Sequence, residues 1–385
     1  MSAREIYLDY NATTALDQEV LDEMLPWMTE KFWNAASAHA GGRQASQAVE
    51  KARESIAASI GALPREIVFT SGATEADNAA LKGAFESAPQ GRNRVIVGAT
   101  EHKAVLDTAE WLADRGADVT AAPVSRSGLI DEDALDEMLD ETVALVSIMS
   151  ANNETGVIAP IARLAEAAHE VGALFHADAT QTVGKVPVDL ESLGVDLASF
   201  SAHKLYGPKG VGALYVRRGV DLDPLLHGGG HERGLRSGTL NVPGIVGFGR
   251  ATELASIVMS EESTRQSDLT RRLVEGLGKL PNVTLIASES ERLPNTANLR
   301  FGGVDGEAVM ANAPNLLVSS GSACTSMAPE PSHVLCAMGL SAEEAQECLR
   351  FSLGRPTTPS DIDQAIEMIV HSVERVRSFD MVPAR

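Results

Sequence analysis

The chain has 385 residues, 44% hydrophobic and 22% charged, enough for a large core divided between two lobes. Its 53 acidic against 32 basic residues give a formal charge of −21, which speaks against a nucleic-acid surface or an anionic membrane as the main partner. The opening MSAREIYLDYNATT has no basic segment leading into an apolar run, and no stretch is long enough to cross a bilayer, so a soluble, cytoplasmic protein is expected. The cysteines are Cys324, Cys336 and Cys348; so few, so late in the chain and without short CxxC pairs, they argue against a disulfide framework or a zinc site.

In chain order, YLDYNATT is too short for a domain and is expected to pack against the rest. Seven strand-like runs follow: EIVFT (66–70), RVIVGAT (94–100), DVTAAPV (118–124), ALVSIMS (144–150), ALFHADAT (173–180), LASFSAH (197–203) and GALYVRR (212–218). Between them lie amphipathic stretches such as KAVLDTAEWLADRG and IARLAEAAHEVG, each ending in glycine. This alternation predicts an α/β fold: a mostly parallel sheet covered by helices on both faces. After about residue 250, long helical patterns surround a few strands (VTLIAS, TANLRF, LLVSSG), which predicts a smaller α+β domain. The expected division is 1–15, a segment packing with the small domain; 16–250, the large domain; and 251–385, the small domain with the Cys324 loop.

In an open parallel sheet, ligands bind beyond the carboxyl ends of the strands. The run TSGATE (70–75) follows a strand and opens a helix, where free N–H groups hold a phosphate; a plain helix cap, with Thr74 and Asp77 as a capping box, is the alternative. Asp178 ends ALFHAD, where a buried carboxylate needs a cationic partner such as a protonated pyridine nitrogen; a backbone-bonded strand-end Asp is the alternative. Lys204, in SFSAHKLYGPKG, lies one strand step further on. Desolvated there it becomes an imine-forming amine, although a lone lysine more commonly snorkels. His102 suits stacking on a planar ring or a structural role equally. Phosphate cup, carboxylate, imidazole and lysine in this order describe a pyridoxal phosphate site.

Further on, LLVSSGSACTSMAPEPSHVL (316–335) places Cys324 in a Ser- and Gly-rich turn, where an exposed thiol is a liability unless used. Cys336 and Cys348 read as apolar filler in helical surroundings. Arg350, in CLRFSLGR, is suited to clamp a carboxylate or to form a salt bridge. The glycine-rich HGGGHERGLRSGTLN (227–241) reads as a functional loop or a subunit contact.

YLDYNATT, FTSGATEADN, TEHKAVL, NNETGVI, HADATQ, SAHKLYGPKG, HERGLRSGTLN, SSGSACTS and RFSLGR together resemble the cysteine desulfurases over nearly the whole chain. These are pyridoxal-phosphate enzymes of the class V aminotransferase group, and the SSGSACTS form is similar to the first of the family's two groups. The resemblance implies fold type I of the pyridoxal-phosphate enzymes, a seven-stranded large-domain sheet and a homodimer. It implies that Lys204 carries the cofactor, Asp178 pairs with its ring nitrogen, Gln181 bonds its phenolic oxygen and His102 stacks on its ring. Ala73, Thr74, Ser201 and His203 would hold its phosphate together with Thr239 of the second subunit; Asn11, Asn153 and Arg350 would hold the substrate.

Cys324 would take sulfur from L-cysteine as a persulfide, leaving alanine, and pass it to an acceptor for iron–sulfur cluster or other thio-cofactor synthesis. A selenocysteine lyase or cystine C–S lyase keeps the cofactor but needs no thiol nucleophile; a non-catalytic scaffold would not need Lys204, Asp178, His102 and Cys324 together. The chain ends at SFDMVPAR, short of the tail that resembling enzymes use to dock an iron–sulfur scaffold, so that partner is not carried over. NAASAHAGGR (34–43) departs from the family's motif and leaves His39 without an assigned role.

Overall fold

The computed structural model describes residues 4–320 and 330–380, so Cys324 lies outside the described residues. β1 (Ile6–Tyr7), α1 (Gln18–Thr29) and α2 (Ala40–Ser59) precede the first strand–helix units, β2 (Ile67–Thr70), α3 (Ala73–Glu86), β3 (Arg94–Gly98) and α4 (Lys103–Ala113). The alternation continues through β4 (Asp118–Ala122), α5 (Glu132–Met138), β5 (Val143–Ser147), α6 (Ile161–Glu170), β6 (Leu174–Asp178), β7 (Leu197–Ser201) and β8 (Gly212–Val216). β2 to β8 form one seven-stranded sheet in the order β2-β8-β7-β6-β5-β3-β4. β8 runs antiparallel to both its neighbours, and all other pairs are parallel. Six of the seven sequence runs extend two or three residues beyond their strands; five of them leave the sheet at its carboxyl edge, and the run of antiparallel β8 leaves at the other.

Apart from the partly exposed edge strand β4, the sheet is buried on both faces, which is why its strands read as continuous apolar runs. Phe69, Ile96, Val146, Phe175 and Phe200 face a cluster shared with α2, α6 and the start of α7 (Val242–Leu277). The alternate residues Val68, Val95, Val97, Leu145 and Leu197 face the cluster under α3 and α4. α7 is 36 residues long and begins upstream of the helical pattern seen in the sequence, so the boundary expected at 250/251 falls inside it. Its first half packs on α1 and α2, while Leu269, Leu273 and Leu277 belong to a separate core.

Around that second core stand β9 (Val283–Leu285), β10 (Thr296–Phe301), α8 (Gly306–Asn312), β11 (Leu316–Leu317), β12 (Ser319–Ser320), β13 (Cys348–Ser352) and α11 (Pro359–Asp380), while α9 (His333–Ala337) and α10 (Ala342–Gln346) form a smaller cluster with Ile286 and Cys348. Four strands form an antiparallel sheet, β12-β13-β10-β9, and β1 pairs in parallel with β11. The N-terminal strand thus joins this side of the molecule, with Ile6 and Leu8 in its core. Cys348 lies on β13 rather than in helical surroundings; its Sγ donates to the Glu344 carbonyl at 3.3 Å.

The two edges that matter for the site meet at Gly212. A Cβ there would lie 2.6 Å from the Phe200 carbonyl oxygen and 2.7 Å from the backbone of Gly72, the residue that opens α3. Gly212→Ala is expected to destabilise the protein by about 1–3 kcal/mol and to weaken cofactor binding by displacing Gly72. Urea unfolding and cofactor titration check this; wild-type values in both would contradict it.

Candidate active site

β2 delivers the chain to α3 through Gly72, whose φ of 157° and ψ of 179° suit glycine. Gly72 is the N-cap and contributes no side-chain bond, so the first amides of α3 keep their donors for a ligand. The capping box expected of Thr74 and Asp77 is not formed: Thr74 is exposed at the second helical position and Asp77 is buried. Glu75 instead ties the turn, accepting from the Ser71 amide (2.8 Å) and from Arg236 Nε (2.8 Å). A Cβ on Gly72 would have Ser201 Oγ, at 4.0 Å, as its nearest neighbour, so the space before the helix is open on this side.

Asp178 ends β6, buried, with Oδ1 accepting from the Thr180 amide at 2.9 Å. Asp77 and Glu101 stand near it, both 1% exposed. Burial, reinforced by the charge on Asp178, pushes both carboxyls well above the usual range. Both Asp77 oxygens and Glu101 Oε2 lack a hydrogen-bond partner among the described residues. His176, 3.6 Å from Asp77, is held neutral by burial, its pKa pushed down to about 3, and bonds Ser147 and Ser199. Burial thus disfavours further negative charge at Asp77 and Glu101 beside Asp178, the strand-end carboxylate placed to meet a pyridinium nitrogen.

Lys204 follows β7 in a short 3₁₀ turn and donates to the carbonyls of Asn11 (2.7 Å) and Ala12 (2.8 Å). His203 Nδ1 lies 3.1 Å from Thr13 Oγ1; burial, then the charges of Lys204 and Lys209, lower its pKa to about 4. His102 caps α4, its Nδ1 accepting from the Ala104 amide, which leaves the proton on Nε2. Gln181 donates from Nε2 to the Asn11 carbonyl (3.1 Å) and accepts at Oε1 from Lys185 (2.6 Å).

Arg350 projects from β13, donating to Asp9 Oδ1 (2.6 Å) and to the Asn153 carbonyl (3.0 Å), with Nε unpartnered among the described residues. Asn11, expected to touch substrate, has its amide engaged by protein instead: Nδ2 donates to the Asn153 carbonyl and Thr296 Oγ1, while Oδ1 accepts from Lys185 and Asn295.

A cavity of about 670 Å³ unites these groups. Every expected site residue described lines it except Thr239, which is exposed and outside. Its volume and its combination of anion cradle, strand-end carboxylate Asp178 and lysine fit pyridoxal phosphate. His39 is accounted for otherwise, as the N-cap of α2 bonding the Gly42 amide.

Lys185, Asp77 and Glu154 were not picked out from sequence as residues of the site. Each sits inside a run that reads as ordinary helix start, turn or loop, and only distant partners make it part of the site. Glu154 lines the cavity and accepts from Ser332 Oγ at 2.5 Å; burial, against that bond and the charge of Arg350, raises its pKa to about 7.

Fold and site define a pyridoxal-phosphate enzyme of fold type I. The model of the family "Aminotransferase class-V" matches residues 6–365. Cysteine desulfurase IscS of Anaeromyxobacter sp. (strain Fw109-5) is 50% identical over 378 residues, covering 97% of this chain and 94% of its own. A solved NifS-like protein superposes with a TM-score of 0.90 at 41% identity, covering 97% of this chain and all of its own. The structure titled "SspA in complex with cysteine" gives 0.81 at 38% identity, covering 90% of this chain and 98% of that one. The chain belongs to the class-V aminotransferase family and, within it, to the cysteine desulfurases.

A folded-state pKa of about 7 for Glu154, against 4.5 in an unfolded chain, means that its contribution to stability is complete below about 4.5 and is lost as pH rises through 7. Between pH 4.5 and pH 7.5, cofactor-free wild type should therefore lose on the order of 3 kcal/mol relative to Glu154→Gln. Urea midpoints of both proteins across this window measure it, and a constant difference would contradict it.

Proposed function

We propose that this cysteine desulfurase works through the residues gathered in the crevice, with Cys324 as the sulfur acceptor of the reaction. The observation that carries the assignment is the position of the described flanks of the Cys324 segment. Ser319 on β12 lines the cavity before it, and Ser332 after it is bonded to the cavity residue Glu154.

The first amides of α3 at Ala73 and Thr74, with Ser201 and His203, hold the cofactor phosphate. Asp178 would hold the ring nitrogen, His102 would cover the ring face, Gln181 would bond the phenolic oxygen, and Lys204 would bear the attachment. Pyridoxal phosphate, when bound, supplies the sink for the electron pair left by the substrate's α-proton. Arg350 and Asn153 orient the L-cysteine carboxylate, with Asn11 holding Asn153 in place. The Lys204 amine would take the α-proton. The Cys324 thiolate attacks the substrate sulfur; its S–S bond forms as the substrate C–S bond breaks, giving alanine and an enzyme persulfide.

Thr239 lies outside its own chain's cavity, which supports a homodimer in which it reaches the partner's phosphate. Among the described residues no helix is long and apolar enough to cross a membrane. We place the enzyme in the cytoplasm, delivering sulfur to an acceptor protein for iron–sulfur cluster or other thio-cofactor synthesis.

Incubation with L-cysteine and a dithiol should yield alanine and sulfide in equal amounts. Cys324→Ser and Lys204→Ala should each lower both by at least about a hundredfold. Pyruvate in place of alanine, or activity surviving Cys324→Ser, would overturn the assignment in favour of direct elimination.

A further inference from the structure

The Lys185 amine faces two amide oxygens, Gln181 Oε1 at 2.6 Å and Asn11 Oδ1 at 3.0 Å. It comes from the turn following β6, four residues beyond Gln181, and its stem lies partly at the surface while the amine points inward. Asn11 has other anchors: Asn295 also donates to its oxygen, and its nitrogen is fixed by the Asn153 carbonyl. Gln181 Oε1 has Lys185 as its donor, and Gln181 Nε2 faces the Asn11 carbonyl, which Lys204 also engages.

We propose that Lys185 is a positioning residue that holds the carbonyl end of Gln181, so that Nε2 is the end presented to the cofactor's phenolic oxygen. This rests on the role given to Gln181 above. The alternative orientation would put an amide NH₂ against the amine and leave no donor for that oxygen. Burial, with the charges of Lys204 and Arg350, pushes Lys185 well below the usual lysine range.

A donor on the phenolic oxygen favours its ionised form, so the absorbance titration of the bound cofactor in the holoenzyme reads the contact directly. Lys185→Met should raise the midpoint by about half a pH unit or more, and Gln181→Leu should do the same. The double variant should add little to either, because the two side chains act through one contact. Lys185→Gln supplies an uncharged NH₂ and should restore the wild-type midpoint.

A shift in Gln181→Leu with none in Lys185→Met, or a Lys185→Gln protein that titrates like Lys185→Met, would overturn the proposal. No shift in Gln181→Leu would overturn the role of Gln181 itself. Should Lys185→Met fail to fold, Lys185→Gln decides: a wild-type midpoint supports the proposal and a shifted one overturns it.

Discussion

Asn11 is the joint on which the site depends. Its backbone amide donates to Ser352 Oγ on β13, its side chain reaches Thr296 on β10 and Asn153 after β5, and its carbonyl receives Gln181 and Lys204. One buried residue thus pins the small antiparallel sheet to the carboxyl edge of the large one. The crevice between them is where ligand groups from both sides converge, and its shape follows from that joint. An asparagine suits the place because one short amide offers two donors and one acceptor oxygen in fixed geometry.

Charge is separated across this crevice. On the side of β6 and α3, burial disfavours the ionised forms of Asp77 and Glu101 beside Asp178; Lys204 after β7 and Arg350 on β13 engage backbone carbonyls and Asp9. Desolvation is the largest influence on Asp77, Glu101, Glu154, His176, His203 and Lys185 alike, and in each case it favours the neutral form. The site limits how many charges it buries and leaves those with a ligand to meet.

The seven-stranded sheet was legible because strands buried on both faces leave continuous apolar runs, and the residues just past them pointed at the crevice. Local signals misled where a tertiary contact outweighed them. Asp77 has the spacing of a capping residue, yet it turns into the core beside Asp178, and Gly72 opens the helix without a side-chain cap. The helical pattern after residue 250 hid the start of α7, whose first turns contain glycines packed against Met24 and Ala52. The structural role of Asn11, and with it Lys185, could not be read locally: the bond from Asn11 to Ser352 spans 341 positions. No periodicity in the chain marks such a pair.

The most direct measurement is the effect of Asn11→Leu, which keeps the volume and removes the side-chain bonds. If the joint builds the site, the cofactor-free protein should lose on the order of 3–5 kcal/mol in urea unfolding, and the folded variant should bind pyridoxal phosphate at least about tenfold more weakly. A variant that unfolds like wild type and binds the cofactor with wild-type affinity would contradict the account.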